Sequence, residues 1–550
     1  MTRRLSRPAT RSVALASTAL LVLALTGCSD DGQDFDITQQ IGADPVLPEP
    51  RTELLPDLKV AEVVGWADGE TPTVPEGLTV TAYATDLANP RTVHTLPNGD
   101  VLVVQGKAPA DGRPLERPKD FIRGWIMSIA HGSGGGAPKE TNLITLLRDS
   151  DRDGTVDERH DLLTGLDSPF GVAWIDDTLY VAASRSLLAY PYALGANEIT
   201  EEPRVITDLL SGPINHHWTK DLALGPDGRF LYVSVGSNSN AGERGLEAER
   251  GRAAIWQVDR ETGAARIFAS GLRNPNGLTI HPETGELWAV INERDELGPN
   301  LVPDYMTSVK DGAFYGWPWS YYGNHVDARL HPPRPDMVEK AIAPDYALSS
   351  HVAALGLTFS NHSALPQQYR NGAFIGEHGS WNRTAFNGYK VIYVPFENGR
   401  PAGQAVDVVT GFLDGDEARG RPVGVGIDGT GALLVADDAG NTVWRVAPAD
   451  GTVIPEPVGT DQVPTATGNA APGETQPAGT PADGAATGNP SAPPSEMAPP
   501  AEAAPASPAE TAPANSPAAA PTQGRLPADP APAPTPVAPA PQDDGVPGGG

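Results

Sequence analysis

Six copies of one hairpin pattern, glycine-bearing turns and almost no sustained helical periodicity predict an all-β chain closed as a six-bladed β-propeller. The recurring pattern is a polar entrance, often with Pro, then an apolar strand, a turn that carries Gly in five of the six copies, and a second strand. Four copies are LANPRTVHTLPNGDVLVVQ from Leu87, LDSPFGVAWIDDTLYVAAS from Leu166, HHWTKDLALGPDGRFLYVSVG from His216 and LRNPNGLTIHPETGELWAVIN from Leu272. HVAALGLTFSNHSALPQQYRNGAFIGEHG from His351 is a stretched fifth, and RGRPVGVGIDGTGALLVADD from Arg419 is the sixth. They begin roughly 50–80 residues apart, a spacing that suits sheets repeated around an axis. A pair of β-sandwiches is the competing arrangement, but it would not generate six like units.

The two ends read differently from the middle. Residues 1–28 carry Arg3, Arg4, Arg7 and Arg11, then the apolar run Val13–Leu25, then Leu25-Thr26-Gly27-Cys28. A basic start, a short apolar core and small residues before the break describe an export signal, and LTGC resembles a bacterial lipobox. The expectation is a lipoprotein signal peptide ending at Cys28, with a lipid on that residue anchoring the chain to a membrane outside the cytoplasm. Cys28 is the single cysteine, which excludes a disulfide framework, a Cys-based metal site and a CxxCH haem attachment. Residues 29–50 read as a tether and 51–448 as the propeller domain. From 455 to 550 the chain turns to Pro, Ala, Thr and Gly, too poor in apolar side chains to offset the entropy of ordering, and reads as disordered. A formal net charge of −30 without basic clusters argues against a nucleic-acid partner.

In a propeller, equivalent positions of each repeat lie at one end of the axis. The six entrances offer Arg91, Ser168, His216 with His217, Arg273 with Asn274, His351, and Arg419 with Arg421. With only 39 Lys and Arg in 550 residues, four arginines and three histidines at equivalent positions predict a pocket for a small molecule with several negative charges.

Five segments in one order carry a resemblance: HHWTKDLALGPDG, GLRNPNGL, NERDELGPNLVPDYMTSVKDGAFYGWP, GEHGSWNRTAFNGYKVIYVPF and RGRPVGVGIDGTGALLVADD. Over most of residues 75–447 the chain resembles the pyrroloquinoline-quinone (PQQ) sugar dehydrogenases, specifically the L-sorbosone dehydrogenase-like branch related to soluble quinoprotein glucose dehydrogenase. The resemblance implies oxidation of a sugar or sugar aldehyde by hydride transfer to the quinone of PQQ, with electrons passed to an external acceptor. It implies His217 as the base that takes the hydroxyl proton, with His216 second in rank. It places Arg273 and Asn274 against the quinone oxygens, Arg273 stabilising developing charge. Arg419 and Arg421, two apart, are expected to hold cofactor carboxylates, with His351 in the same pocket. A cationic contact is expected from HGSWNR, where the soluble glucose enzyme has a lysine nearby; here the candidates are His378 and Arg383. The resemblance also implies Ca²⁺ with the cofactor, and Glu293 and Asp295 are the candidate ligands, an exposed ion pair being the alternative.

A second Ca²⁺ candidate stands apart from the resemblance. DSDRDGTVDERH sets Asp149, Asp151 and Asp153 at alternate positions before Gly154, with Asp157 further on: oxygen spacing of a calcium loop with glycine at its sharp turn. Its twelfth position is His160 rather than a bidentate Glu, so an ordinary acidic turn is the competing reading. Two rival functions remain. A calcium-dependent propeller lactonase needs carboxylates and amides converging on one axial metal, against the basic entrances found here. A non-catalytic binding propeller on the cell surface gives no reason to oppose His217 and Arg273.

Overall fold

The computed structural model describes residues 35–51, 57–109, 141–211, 214–456 and 459. The expected signal peptide with Cys28 and the tail from 460 onward lie outside the described residues. Each of the six repeats becomes the first two strands of an antiparallel sheet. The innermost strands are Pro90–Thr95, Gly171–Ile175, Leu222–Leu224, Pro275–Ile280, Ala354–Phe359 and Pro422–Ile427. Three further strands stack outward from each in chain order for the first five sheets. The sixth is completed from the other end of the chain: Leu78–Ala84 pairs antiparallel with Thr442–Pro448, Ala82 opposite Trp444. Helix is confined to the four residues Pro335–Val338 and short 3₁₀ turns among the described residues.

Six apolar clusters glue each sheet to the next, and their membership closes the ring. Leu102 and Val104 meet Val172 and Leu179 between sheets one and two. Tyr180 meets Leu231, Ala223 meets Leu278, Val290 meets Ile375, and Phe374 meets Leu433. Leu434 and Ala436 of the sixth sheet then pack on Val93 and Val103 of the first. The two faces of each sheet are thus both apolar, which explains why strands such as Val101–Gln105 and Leu433–Asp437 are buried at every position. Innermost strands approach closely. A Cβ on Gly171 would stand 2.4 Å from the Leu222 nitrogen, and one on Gly356 would stand 2.2 Å from the Val423 carbonyl oxygen. Only glycine fits there, hence the Gly in the innermost strands of the second and fifth sheets.

One boundary is corrected. Residues 37–42, expected in a tether, form a 3₁₀ turn and a two-residue strand that pairs Ile41 with Leu348 at the outer edge of the fourth sheet. Gln40 is buried there and its side-chain oxygen accepts from the Ser350 nitrogen at 3.2 Å. A second strap, 57–66, carries Glu62–Val63 parallel to Glu417–Ala418 and inserts the Trp66 indole, whose Nε1 donates to Asp437 at 2.7 Å. Isolated apolar residues in a polar stretch gave no periodic signal of either strap.

Candidate active site

The repeat entrances converge as expected, around an apolar plug of Phe170, Trp218, Leu355 and Val423 from four different sheets. Two polar groups of side chains flank it.

His217 and Asn274 meet over Gly236: a Cβ on that glycine would lie 2.5 Å from Asn274 Oδ1 and 2.6 Å from His217 Cβ. His217 Nδ1 is 2.9 Å from the Ser237 carbonyl oxygen, a pure acceptor, so Nδ1 bears the proton and Nε2 the lone pair. The His216 ring stands edge-on to it, 4.6 Å between centroids. Asn274 is buried, and its Oδ1 has no hydrogen-bond partner among the described residues.

Arg273 departs from expectation. All five of its N–H donors are engaged within the protein. They serve the Asn240 carbonyl at 3.0 Å, Asn240 Oδ1 at 2.9 Å, the Asn292 and Glu293 carbonyls at 3.2 and 2.6 Å, and Asp295 at 3.1 Å. A guanidinium so wrapped organises the 238–240 and 292–295 segments and does not project charge at a ligand. The expected calcium ligands fare alike. Glu293 pairs with Arg294 at 3.0 Å, both side chains fully buried, and Arg294 also pairs with Asp327 at 3.0 Å. Asp295 pairs with Arg273 and, at 3.5 Å, with His351. Glu293 Oε2 and Asp295 thus face cations of their own chain, which leaves the buried, unpartnered Glu293 Oε1 alone for a metal, so the pair does not fit a cofactor calcium. His351, at φ +60°, is buried with Nε2 3.3 Å from the Gly298 carbonyl oxygen. Beneath them Asp304 accepts from the Glu293 and Ala353 nitrogens, each at 2.7 Å, tying the fourth sheet to the entrance of the fifth; burial pushes its carboxyl up to about 7.

On the other flank, Asp438 binds two basic side chains from two sheets and lies near the charge of a third. Arg91 donates to its Oδ2, and His378 Nε2 lies 3.0 and 3.1 Å from its two oxygens. Arg421 donates to the His378 and Gly379 carbonyls at 3.0 and 3.1 Å and lies over the Tyr389 ring. Arg91 in turn lies over Phe170 and Trp218, its carbon 5.8 and 5.7 Å from the ring centroids, which bridges this cluster to His217 beside Trp218. Burial, then the Arg421 charge, pushes the His378 imidazole down to about 4, against the pull of Asp438. His378 is therefore neutral rather than the cation expected.

Arg419 turns away from Arg421 and pairs with Asp414 at 2.8 Å and Glu70 at 3.6 Å. Alternation applies only to extended strands, and the strand Pro422–Ile427 begins after both arginines. Arg383, the other candidate cation, is buried and donates to the Pro299 carbonyl at 2.6 Å, to Ser350 Oγ and to the Ala385 carbonyl; it holds loops together.

The carboxylates of Asp149, Asp151 and Asp153 offer one oxygen each within 4.8 Å of one another. Asp157 stands apart from them: its Oδ2 accepts from the Ser150 nitrogen at 2.7 Å. Asp438, Asn240, Asp304 and Tyr389 went unread in the sequence. Asp438 closes the sixth repeat in LLVADD, and an acid at the end of a repeat whose entrance is basic was the available signal.

Residues 187–444 match the family model described as Glucose / Sorbosone dehydrogenase. The span holds His217, Asn274, His378, Arg421 and Asp438, while Arg91 and the acidic loop precede it. An uncharacterized protein of Borreliella burgdorferi is 27% identical over 292 residues, 51% of this chain and 76% of that protein. An aldose sugar dehydrogenase of Escherichia coli is 29% identical over 119 residues, 21% of this chain and 30% of that enzyme. Among solved structures, the holo form of the pyranose dehydrogenase PQQ domain from Coprinopsis cinerea aligns with a TM-score of 0.55 at 18% identity, covering 70% of this chain and all of that domain. That likeness establishes the fold.

Proposed function

We propose that the chain is a PQQ-dependent dehydrogenase of the sorbosone-like kind, its six sheets the blades of a propeller, oxidising a sugar or sugar aldehyde and passing electrons to an external acceptor. The observation that carries this reading is the family match over 187–444, a span that holds His217 and Asn274 on one flank of the site and Arg421 on the other. The site's own features fit the group: an orphaned buried oxygen on Asn274, the space kept by Gly236, and the Arg421 guanidinium, bonded to backbone carbonyls and to no carboxylate, for a cofactor carboxylate. Bound there, PQQ supplies the hydride acceptor. His217, fixed by Ser237 with its lone pair on Nε2, takes the hydroxyl proton. Asn274 and Arg421 hold the cofactor, Arg273 keeps the Asn240 and Glu293–Asp295 walls in place, and the Phe170–Trp218 plug keeps water from the axis.

Calcium belongs to the same proposal, but Glu293 and Asp295 do not hold it as presented here, and no step is assigned to it. The loop of Asp149, Asp151 and Asp153 is the structural Ca²⁺ candidate. A lipid on Cys28 as the membrane anchor is likewise proposed, from LTGC; Cys28→Ser should release the protein from membranes with its specific activity intact.

Purified protein incubated with PQQ and Ca²⁺ should gain dye-linked oxidation of one or more sugars in a panel, none of it without PQQ. Lactone hydrolysis needing only Ca²⁺, or no oxidation of any sugar, refutes the proposal.

A further inference from the structure

His378 is set up to accept a hydrogen bond. Its Nε2 faces the two oxygens of Asp438, groups that only accept when ionised, so Nε2 carries the proton. Asp438 stays ionised: against the burial that would raise its carboxyl, the hydrogen bond from His378 and the charges of Arg91 and Arg421 hold it well below the usual range. The neutral ring then carries its lone pair on Nδ1. Nδ1 has no hydrogen-bond partner among the described residues, and the side chain keeps 17% of its surface exposed. The charged groups facing the ring are Asp438, Arg421 and Arg91. The two guanidiniums oppose protonation, so Nδ1 is a poor proton base and a poor partner for a carboxylate. It suits a neutral O–H donor.

We propose that His378, aimed by the positioning residue Asp438, recognises a hydroxyl of the sugar through Nδ1. This rests on the sugar dehydrogenase reading above and deepens it: His378 becomes a specificity-determining contact, distinct from the base His217. Placed just after the strand Gly372–Glu377 and next to the Arg421 that we assign to the cofactor, it reads a hydroxyl away from the reacting one.

Two readouts test this on the full chain charged with PQQ and Ca²⁺. The first is kinetic. Losing one hydrogen bond in His378→Leu should raise KM about tenfold with kcat little changed, while His378→Gln, whose amide oxygen accepts, recovers part of the loss. Across monodeoxy sugars, one analogue should show the same KM with wild type and with His378→Leu, because it lacks the hydroxyl in question. An equal penalty on every analogue means a merely structural role and overturns the proposal. The second is nitrogen-15 NMR of labelled histidine, with the His378 signal identified by its loss in His378→Gln. From about pH 6 to about pH 8 the ring should be neutral with Nε2 protonated, and sugar should shift Nδ1. An imidazolium, the opposite tautomer, or no shift with any sugar overturns the proposal. If the wild type oxidises no sugar, the quinoprotein reading falls, and the Nδ1 shift still decides whether His378 binds a hydroxyl.

Discussion

Single side chains at this site divide by what their polar atoms face. His217 hands its Nδ1 proton to a backbone carbonyl, which leaves Nε2 as the acceptor. His217→Asn keeps a similar volume without a proton-accepting nitrogen, so the variant should fold and bind PQQ while turnover drops by roughly 10²-fold or more. Near-normal turnover at saturating PQQ, Ca²⁺ and sugar would move the base elsewhere, with His216 first in line. Arg273 belongs to stability instead. Lysine keeps the charge but brings three donors for the acceptors of Asn240, Asn292, Glu293 and Asp295, so Arg273→Lys should lose on the order of 3 kcal/mol in denaturant unfolding. An unfolding curve matching wild type would show that those acceptors are satisfied otherwise. His217, Asn274 and Arg421 were legible because the repeat puts its entrances at one end of the ring. Which way a side chain faces was not: Arg419 and Arg421 share a repeat position, yet a bend before Pro422 sends one to Asp414 and the other to His378. The engagement of Arg273 depends on Asn240, a residue 33 positions earlier in another sheet, and no local pattern announces it.

At the level of strands, the apolar alternation, with a turn glycine in all but the second sheet, marked two strands of every sheet, and the outer strands, half exposed and short of apolar residues, carried less signal. The inner ends of these strands also bury carboxyls. Glu377 closes the strand Gly372–Glu377, and its Oε2 has no hydrogen-bond partner among the described residues. Burial pushes it from 4.5 up to about 8. The folded chain thus holds a proton that the unfolded chain releases, and the stability this contributes is full below about pH 4.5 and lost progressively as pH rises to about 8. Asp304, raised from 3.8 to about 7, acts in the same sense. Glu377→Gln replaces the ionisable group with a neutral one of the same shape. Melting temperature followed against pH should fall more shallowly across that window than in wild type, and parallel curves would mean that Glu377 ionises normally. Arg294 tests the neighbouring sheet. Its removal leaves Glu293 and Asp327 as buried carboxylates, Glu293 without a counter-charge, and Arg294→Ala should cost about 3–5 kcal/mol.

The whole ring depends on contacts that join distant parts of the chain. Its closure is the pairing of 78–84 with 442–448, which seals the sixth sheet and lets Leu434 and Ala436 pack on Val93 and Val103. The chain just beyond that sheet is also held. Arg152, in the acidic loop of the first sheet, donates to the carbonyls of Pro455 at 2.8 Å, Ile454 at 2.9 Å and Gly429 at 2.7 Å. Ile454 returns a backbone bond to the Thr430 carbonyl at 2.8 Å, and Gly459 comes against Pro97. Compositional reading sets the boundary of the tail at 455, because Pro and Ala take over there and Arg152 lies 303 residues away from its acceptor. The two cuts should therefore differ. Ending the chain after Gly459 keeps every one of these bonds and should leave melting temperature and turnover as they are. Ending it after Ala449 removes two acceptors of Arg152 and uncovers the seam between the first and sixth sheets, and the melting temperature should drop by several degrees for the roughly 1–3 kcal/mol that such bonds contribute. If both truncations melt alike, the segment 450–459 does not brace the ring, and the fold ends where the composition changes.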